Sequence, residues 1–410
     1  MNHDRLAQAL LDSVRAQDFG HTEDGLRKGR ALTHFPSLDL AVAAFPGGGA
    51  APVWANVLFS REHPQGFVAS IPADGGTLTG LRFDADQTDA ALDSVAWLPE
   101  ADWSTLRWQP LHGHDVANPG PRFVAPYPAS LLKVMVAIGV ARLVDAGRAH
   151  WDDPCTLAGR TRRVADWAED MIVFSSNDGT TALVALLHRA GAIRRDDDHE
   201  THNELNALFA ALGLPTLRLT NTRADGGWGN AAGAGVGQIQ MTAWDTLRLF
   251  WLLDADAPAA PWQAATARAV LSAPSRARLR GWLDDQALHE ILSSSVLRGV
   301  PGWRAGIPAQ LPARWITADG SASVDDTHYP ADVRDPAAQV RFAHKTGTTE
   351  NYGSDGGIVR GIAPHRRHYL VVLLSSLGSR YATHQMCAVN WRLPALGAAI
   401  DAQLAAWLES

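Results

Sequence analysis

The sequence predicts an α/β fold of the α+β kind: an antiparallel sheet flanked by terminal helices, with an all-helical lobe inserted into it. Three observations carry this. Short apolar or alternating runs lie near both ends of the 410-residue chain, at 38–45, 53–60, 67–71, 340–344, 357–360 and 369–375. They are separated by Gly, Pro and Asp, as antiparallel strands are. From about 126 to 253 the apolar residues recur instead at helical spacing. Helical patterns also open and close the chain, at 4–17 and 394–408. Strands at both termini with helices between them imply one sheet assembled from the two ends of the chain.

The first helix places Leu6, Leu10, Leu11 and Val14 on one face. Residues 75–125, with Trp97, Trp103 and Trp108, continue as strands and loops without a secure assignment. Helices are expected at 128–146, 164–174, 179–190, 203–212 and 242–253, then around 265–271 and 277–288. A glycine-rich loop fills 220–237, long enough to carry function. The stretch 290–340 is rich in Pro, Gly, Asp and Ala without periodicity and reads as a surface insertion. The chain is thus one unit, 1–410: 1–125 and 340–410 build the sheet lobe, and 126–255 mainly the helical lobe.

Composition narrows the partners. The chain is 46% hydrophobic and 19% charged, with a net charge of −7, which is ordinary globular usage. The arginines at 160–163 and 366–367 are short clusters, so nucleic acid and anionic membrane are not expected partners. No apolar run reaches ~18 residues, so no membrane span is expected. The charged N-terminal stretch lacks the apolar core of a secretory signal. As written the protein would be cytoplasmic, and periplasmic or secreted if a leader had been removed. Cys155 and Cys387 alone make no disulfide framework.

Three short motifs carry chemistry. In residues 126–144 a helix that is apolar almost all round begins with Ser130 and Lys133 in its first turn. The i, i+3 spacing puts hydroxyl and ammonium on one face. Burial lowers a lysine's pKa, which makes it able to take a serine's proton. The second motif is Ser175-Ser176-Asn177-Asp178, a polar turn between two helices that taken by itself reads as an N-cap. The third is Lys345-Thr346-Gly347-Thr348 on a late strand, where glycine permits close backbone approach. The acidic and histidine-containing run 196–202 fits no standard zinc spacing and reads as a solvated loop, and Gly233, Gly235 and Gly237 follow no strand. No metal or cofactor is expected.

Ser-x-x-Lys, Ser-x-Asn and Lys-Thr-Gly in that order resemble the signature of class A β-lactamases and penicillin-binding proteins. The resemblance covers roughly 126–253 and 340–408 and implies a β-lactamase-like fold and a serine hydrolase working through an acyl-enzyme. It implies Ser130 as nucleophile, Lys133 as base, Ser175 as proton relay and Asn177 as the holder of a substrate amide. Lys345 and Thr346 would bind a carboxylate, Lys345 would help depress Lys133, and the N–H groups of Ser130 and Thr348, beside Gly347, would form the oxyanion hole. Two departures stand out. Ser176 replaces the family's aspartate, and residues 217–241 contain no glutamate to activate a deacylating water. Asp225 is the only carboxylate there, a candidate base; Glu204, in Glu204-Leu205-Asn206, reads as part of a helix. The expected substrate is a small amide, ester or β-lactam, with slow β-lactam turnover. The alternatives are a non-lactam amide or ester hydrolase, a D-Ala-D-Ala-type peptidase, or a catalytically silent binding protein of the same fold.

Overall fold

The computed structural model describes residues 1–85, 102–105, 108–113, 120–196, 199–228, 239–264, 269–325 and 327–410. Trp97, half of the glycine-rich loop (229–237) and the start of the helix expected around 265–271 lie outside these residues.

The main sheet has six strands: β1 (Leu38–Ala44), β2 (Val53–Phe59), β3 (Phe67–Val68), β4 (Val340–Thr348), β5 (Gly353–Gly361) and β6 (His368–Ser375). Their spatial order is β4-β5-β6-β1-β2-β3, antiparallel throughout. The β6–β1 pairing, from Tyr369 opposite Ala44 to Ser375 opposite Leu38, joins the two ends of the chain. Strands β1, β2 and β6 are apolar at most positions because both faces are covered. One face presents Leu40, Val42, Val371 and Leu373 to α1 (His3–Arg15) and α8 (Arg392–Leu408), which contribute Leu6, Leu10, Val14, Leu396 and Ile400. The other face presents Ala41, Ala43, Leu370 and Val372 to the helical side.

That side holds α2 (Lys133–Asp145), α3 (Val164–Val173), α4 (Asn177–Arg189), α5 (Glu204–Ala211), α6 (Ala243–Leu253) and α7 (Ala273–Asp284). Helix α2 is buried on every side from Lys133 to Ala141, as its all-round apolarity there requires. Helix α6 is fastened to the sheet by Asp39 of β1, which is wholly buried and accepts the Ala243 N–H at 2.8 Å and the Asn56 amide at 2.7 Å. A carboxylate is favoured at that position by the helix dipole.

The stretch expected as a surface insertion is partly interior. Ile291, Leu292, Ile307 and Ala309 join the core under α8, and Val296, Leu297, Val324 and Tyr329 join the other core. Its backbone also covers one end of β4, the edge strand: Gln310 N–H donates to the Val340 carbonyl at 2.9 Å. An uncovered edge would invite pairing with another chain. Small antiparallel pairs at 154–157 with 160–163 and at 193–196 with 199–203 were not anticipated; the latter occupies the run expected as an acidic loop. Among the described residues, no helix is long and apolar enough to cross a membrane.

Candidate active site

Ser130 sits on a 3₁₀ turn, Ala129–Leu132, that runs directly into α2. Ala129 adopts φ +47°, an unfavourable conformation for a residue with a Cβ and one that tends to concentrate at functional sites. Ser175, between α3 and α4, is likewise left-handed at φ +63°. The N-cap reading of the Ser-Ser-Asn-Asp turn falls on one residue: Ser176 Oγ accepts the Gly179 N–H at 3.1 Å and caps α4. Ser175 and Asn177 on either side are left for other contacts. Ser176→Ala is expected to cost about 0.5–2 kcal/mol of stability through the lost cap, read from the urea midpoint at unchanged m-value.

Those contacts converge on two lysines. Lys133, 2% exposed, donates from Nζ to the Ser175 carbonyl at 2.5 Å, to Asn177 Oδ1 at 2.9 Å and to Ser175 Oγ at 3.2 Å. Burial pushes its ammonium down to about 7. Lys345, on β4, donates to the same Ser175 Oγ at 3.0 Å and to the Thr346 carbonyl at 2.8 Å. Burial and then the charge of Lys133 hold Lys345 well below the ordinary lysine range, against the opposing pull of Asp355 and Glu290. The like-charge effect expected on Lys133 is therefore felt on Lys345, while desolvation accounts for Lys133.

Ser130, Lys133, Asn177 and Thr348 line one cleft of about 340 Å³, walled further by Tyr127, Trp228, Thr180 and Thr181. Among the described residues the buried Thr348 hydroxyl has no hydrogen-bond partner. Lys345, Thr346 and Gly347 are buried and are not among the residues lining the cleft, and Gly347 backs onto the Ser130 turn. A Cβ on Gly347 would come within 2.6 Å of the Ser130 nitrogen.

The candidates for a deacylating base are placed elsewhere. The Asp225 carboxylate is two-thirds exposed, lies 3.6 Å from Arg223 and accepts the Gly227 N–H, while its neighbours Gly226 and Trp228 line the cleft. Glu204 opens α5, as expected, and pairs with Arg148 at 2.7 Å. His344 is wholly buried, 2.7 Å from Asp355 Oδ1 and stacked on Phe342.

Three residues near the site escaped the sequence reading. Ser354 and Asp355 lie on β5 opposite Gly347 and Thr346, and the Asp355 carboxylate also accepts the Leu292 N–H at 3.0 Å. Glu290 is within electrostatic range of Lys345 and Asp355, and burial pushes its carboxyl up to about 7. For Ser354 and Asp355 the signal was two polar residues in a run, 353–359, otherwise made of glycine and aliphatic side chains.

No curated protein sequence matches the chain. Among solved structures, the chain is similar to PBP-A in an acyl-enzyme complex with penicillin G, at 12% identity and TM-score 0.49 over 100% of this chain and 98% of that one. It is also similar to the TLA-1 extended-spectrum β-lactamase, at 12% identity and TM-score 0.47 over the whole of both chains. It is also similar, at 17% identity and TM-score 0.44 with 99% of each chain covered, to a variant of the last common ancestor of the class A β-lactamases of Gram-negative bacteria. The model of the β-lactamase enzyme family matches residues 125–388, which is more than half of the sequence and spans all three motifs; the chain belongs to that family.

Proposed function

We propose that the protein is a serine hydrolase that forms an acyl-enzyme on Ser130 with a small amide, ester or β-lactam, and that it releases β-lactam products slowly. The observation that carries this reading is the convergence on Ser175 Oγ of Lys345 and of Lys133, which lines the cleft with Ser130. Two buried lysines so close are costly to hold, and such perturbed groups cluster where chemistry is done.

The arrangement supports a definite course. Lys133, partly neutral near pH 7, takes the Ser130 proton as Oγ attacks the carbonyl carbon. The resulting oxyanion is held by the Ser130 and Thr348 N–H groups. With both lysines donating to Ser175 Oγ, the Ser175 O–H is left to donate; it hands its proton to the leaving nitrogen or oxygen and takes one from Lys133 in the same step, which returns Lys133 to its neutral form. Among the described residues lining the cleft there is no carboxylate, so water attack on the ester falls to Lys133 as base. That is the basis for slow turnover.

Intact-mass measurement with a penicillin, a chromogenic cephalosporin and an activated ester tests the reading. A stoichiometric adduct is expected on the natural chain and none on Ser130→Ala. Its decay over time reports deacylation. The absence of any adduct with all three reagents would rule the proposal out.

A further inference from the structure

One buried hydroxyl ties the nucleophile's turn to the sheet and is not used by the chemistry above. Ser354 is wholly buried on β5, directly opposite Gly347 of β4. Its Oγ lies 2.5 Å from the Pro128 carbonyl and 3.3 Å from the Gly347 carbonyl. A hydroxyl has one proton to donate, so the shorter contact takes it. The Pro128 carbonyl already accepts the Leu131 N–H at 3.2 Å, the bond that closes the turn bearing Ser130. Ser354 therefore grips the first carbonyl of that turn. Gly347 supplies the other half of the junction, since the place of its missing Cβ lies 2.6 Å from the Ser130 nitrogen and 2.7 Å from that of Leu131.

The strand register directs the second N–H. Thr349 N–H bonds the Tyr352 carbonyl across the hairpin at 2.9 Å. Alternation along an antiparallel ladder then turns the Thr348 N–H off the sheet edge. Thr348 and Ser130 share the cleft. The distance between their N–H groups is thus set by how the turn sits on the β4–β5 pair, and Ser354 is a fastener there.

We propose that Ser354 is a positioning residue that fixes the Ser130 N–H relative to the Thr348 N–H, so that the two bind one oxyanion. This rests on acyl transfer at Ser130. Ser354 touches no substrate and moves no proton of the reaction; it acts through the Pro128 carbonyl. Without it the turn, already strained at Ala129, is free to relax away from the strand.

The test compares the full-length chain with Ser354→Ala and Ser354→Cys, the latter keeping the side chain's shape with a weaker donor. The probes are p-nitrophenyl acetate and its thionoester counterpart, in which the developing charge falls on sulfur, a larger and poorer acceptor. Both variants are expected to acylate p-nitrophenyl acetate about 10- to 100-fold more slowly, with KM moved less than about threefold. The preference for the oxygen ester over the thionoester is expected to shrink in both, which a loss of stability alone would not cause. Should Ser354→Ala not fold, the cysteine variant decides. Acylation within twofold of the natural chain, with the oxygen-to-sulfur preference intact, overturns the proposal and leaves the nucleophile in place. No acylation of the natural chain by either probe or by a β-lactam overturns both readings.

Discussion

Lys133→Met is expected to slow acylation of Ser130 by about 10²–10⁴-fold, the usual contribution of a positioned general base. Methionine keeps the length of the side chain and suits a site that is 2% exposed, so the loss would report the amine and not a cavity. The natural chain carries a second signature. Because burial brings Lys133 down to about 7, its neutral, proton-accepting form dominates above that pH. Below it the neutral fraction falls about tenfold per unit. The acylation rate is therefore expected to rise through pH 7 and level off above it, followed by adduct growth between pH 5 and 9. Lys133→Arg tests charge against basicity: a guanidinium keeps the charge but does not lose its proton, so the rate should fall as in the methionine variant. A flat pH profile in the natural chain, or near-normal acylation with arginine, would remove Lys133 from the role of base.

The Ser130–Lys133 pair and the Ser175–Asn177 turn were legible in the sequence because each depends on local spacing, whereas Lys345 joined them only through the family resemblance. Ser130 and Lys133 share a face by helical geometry, and the apolar run after them announces burial. The sheet strands were legible because β1, β2 and β6 are buried on both faces and read as continuous apolar runs. What was not legible is whatever depends on distant pairing. Ser354 meets the Pro128 carbonyl across 226 positions of sequence, and no periodicity marks it. Residues 290–340 lack a pattern because they cover an edge strand in irregular backbone, burying Ile307 or Val324 one at a time. The hairpin at 154–163 was missed because its second strand is Arg-Thr-Arg-Arg, which no hydrophobic alternation reveals.

Gly347→Ala is expected to reduce acylation by about 10²–10³-fold, the scale of losing one oxyanion donor. The reason is steric and local. The new Cβ would lie 2.6 Å from the Ser130 nitrogen, 2.6 Å from Ser354 Oγ and 2.7 Å from the Leu131 nitrogen. Two of those three atoms are backbone, so no rotamer change relieves the clash. Strand β4 is paired with β5 at every position from Val340 to Thr348, and it is the more rigid partner. The turn carrying Ser130 must therefore move away, taking its N–H out of line with that of Thr348. Overpacking of this kind also costs about 1–3 kcal/mol of stability, so the urea midpoint should fall alongside the rate. The two effects separate kinetically. Ground-state binding to the cleft walls at Tyr127, Trp228 and Thr181 does not pass through Gly347, so the loss is expected in the acylation rate constant and not in KM. Acylation within about threefold of the natural rate would mean that the turn accommodates the methyl group in place, and that the approach of strand to nucleophile does not set the oxyanion geometry.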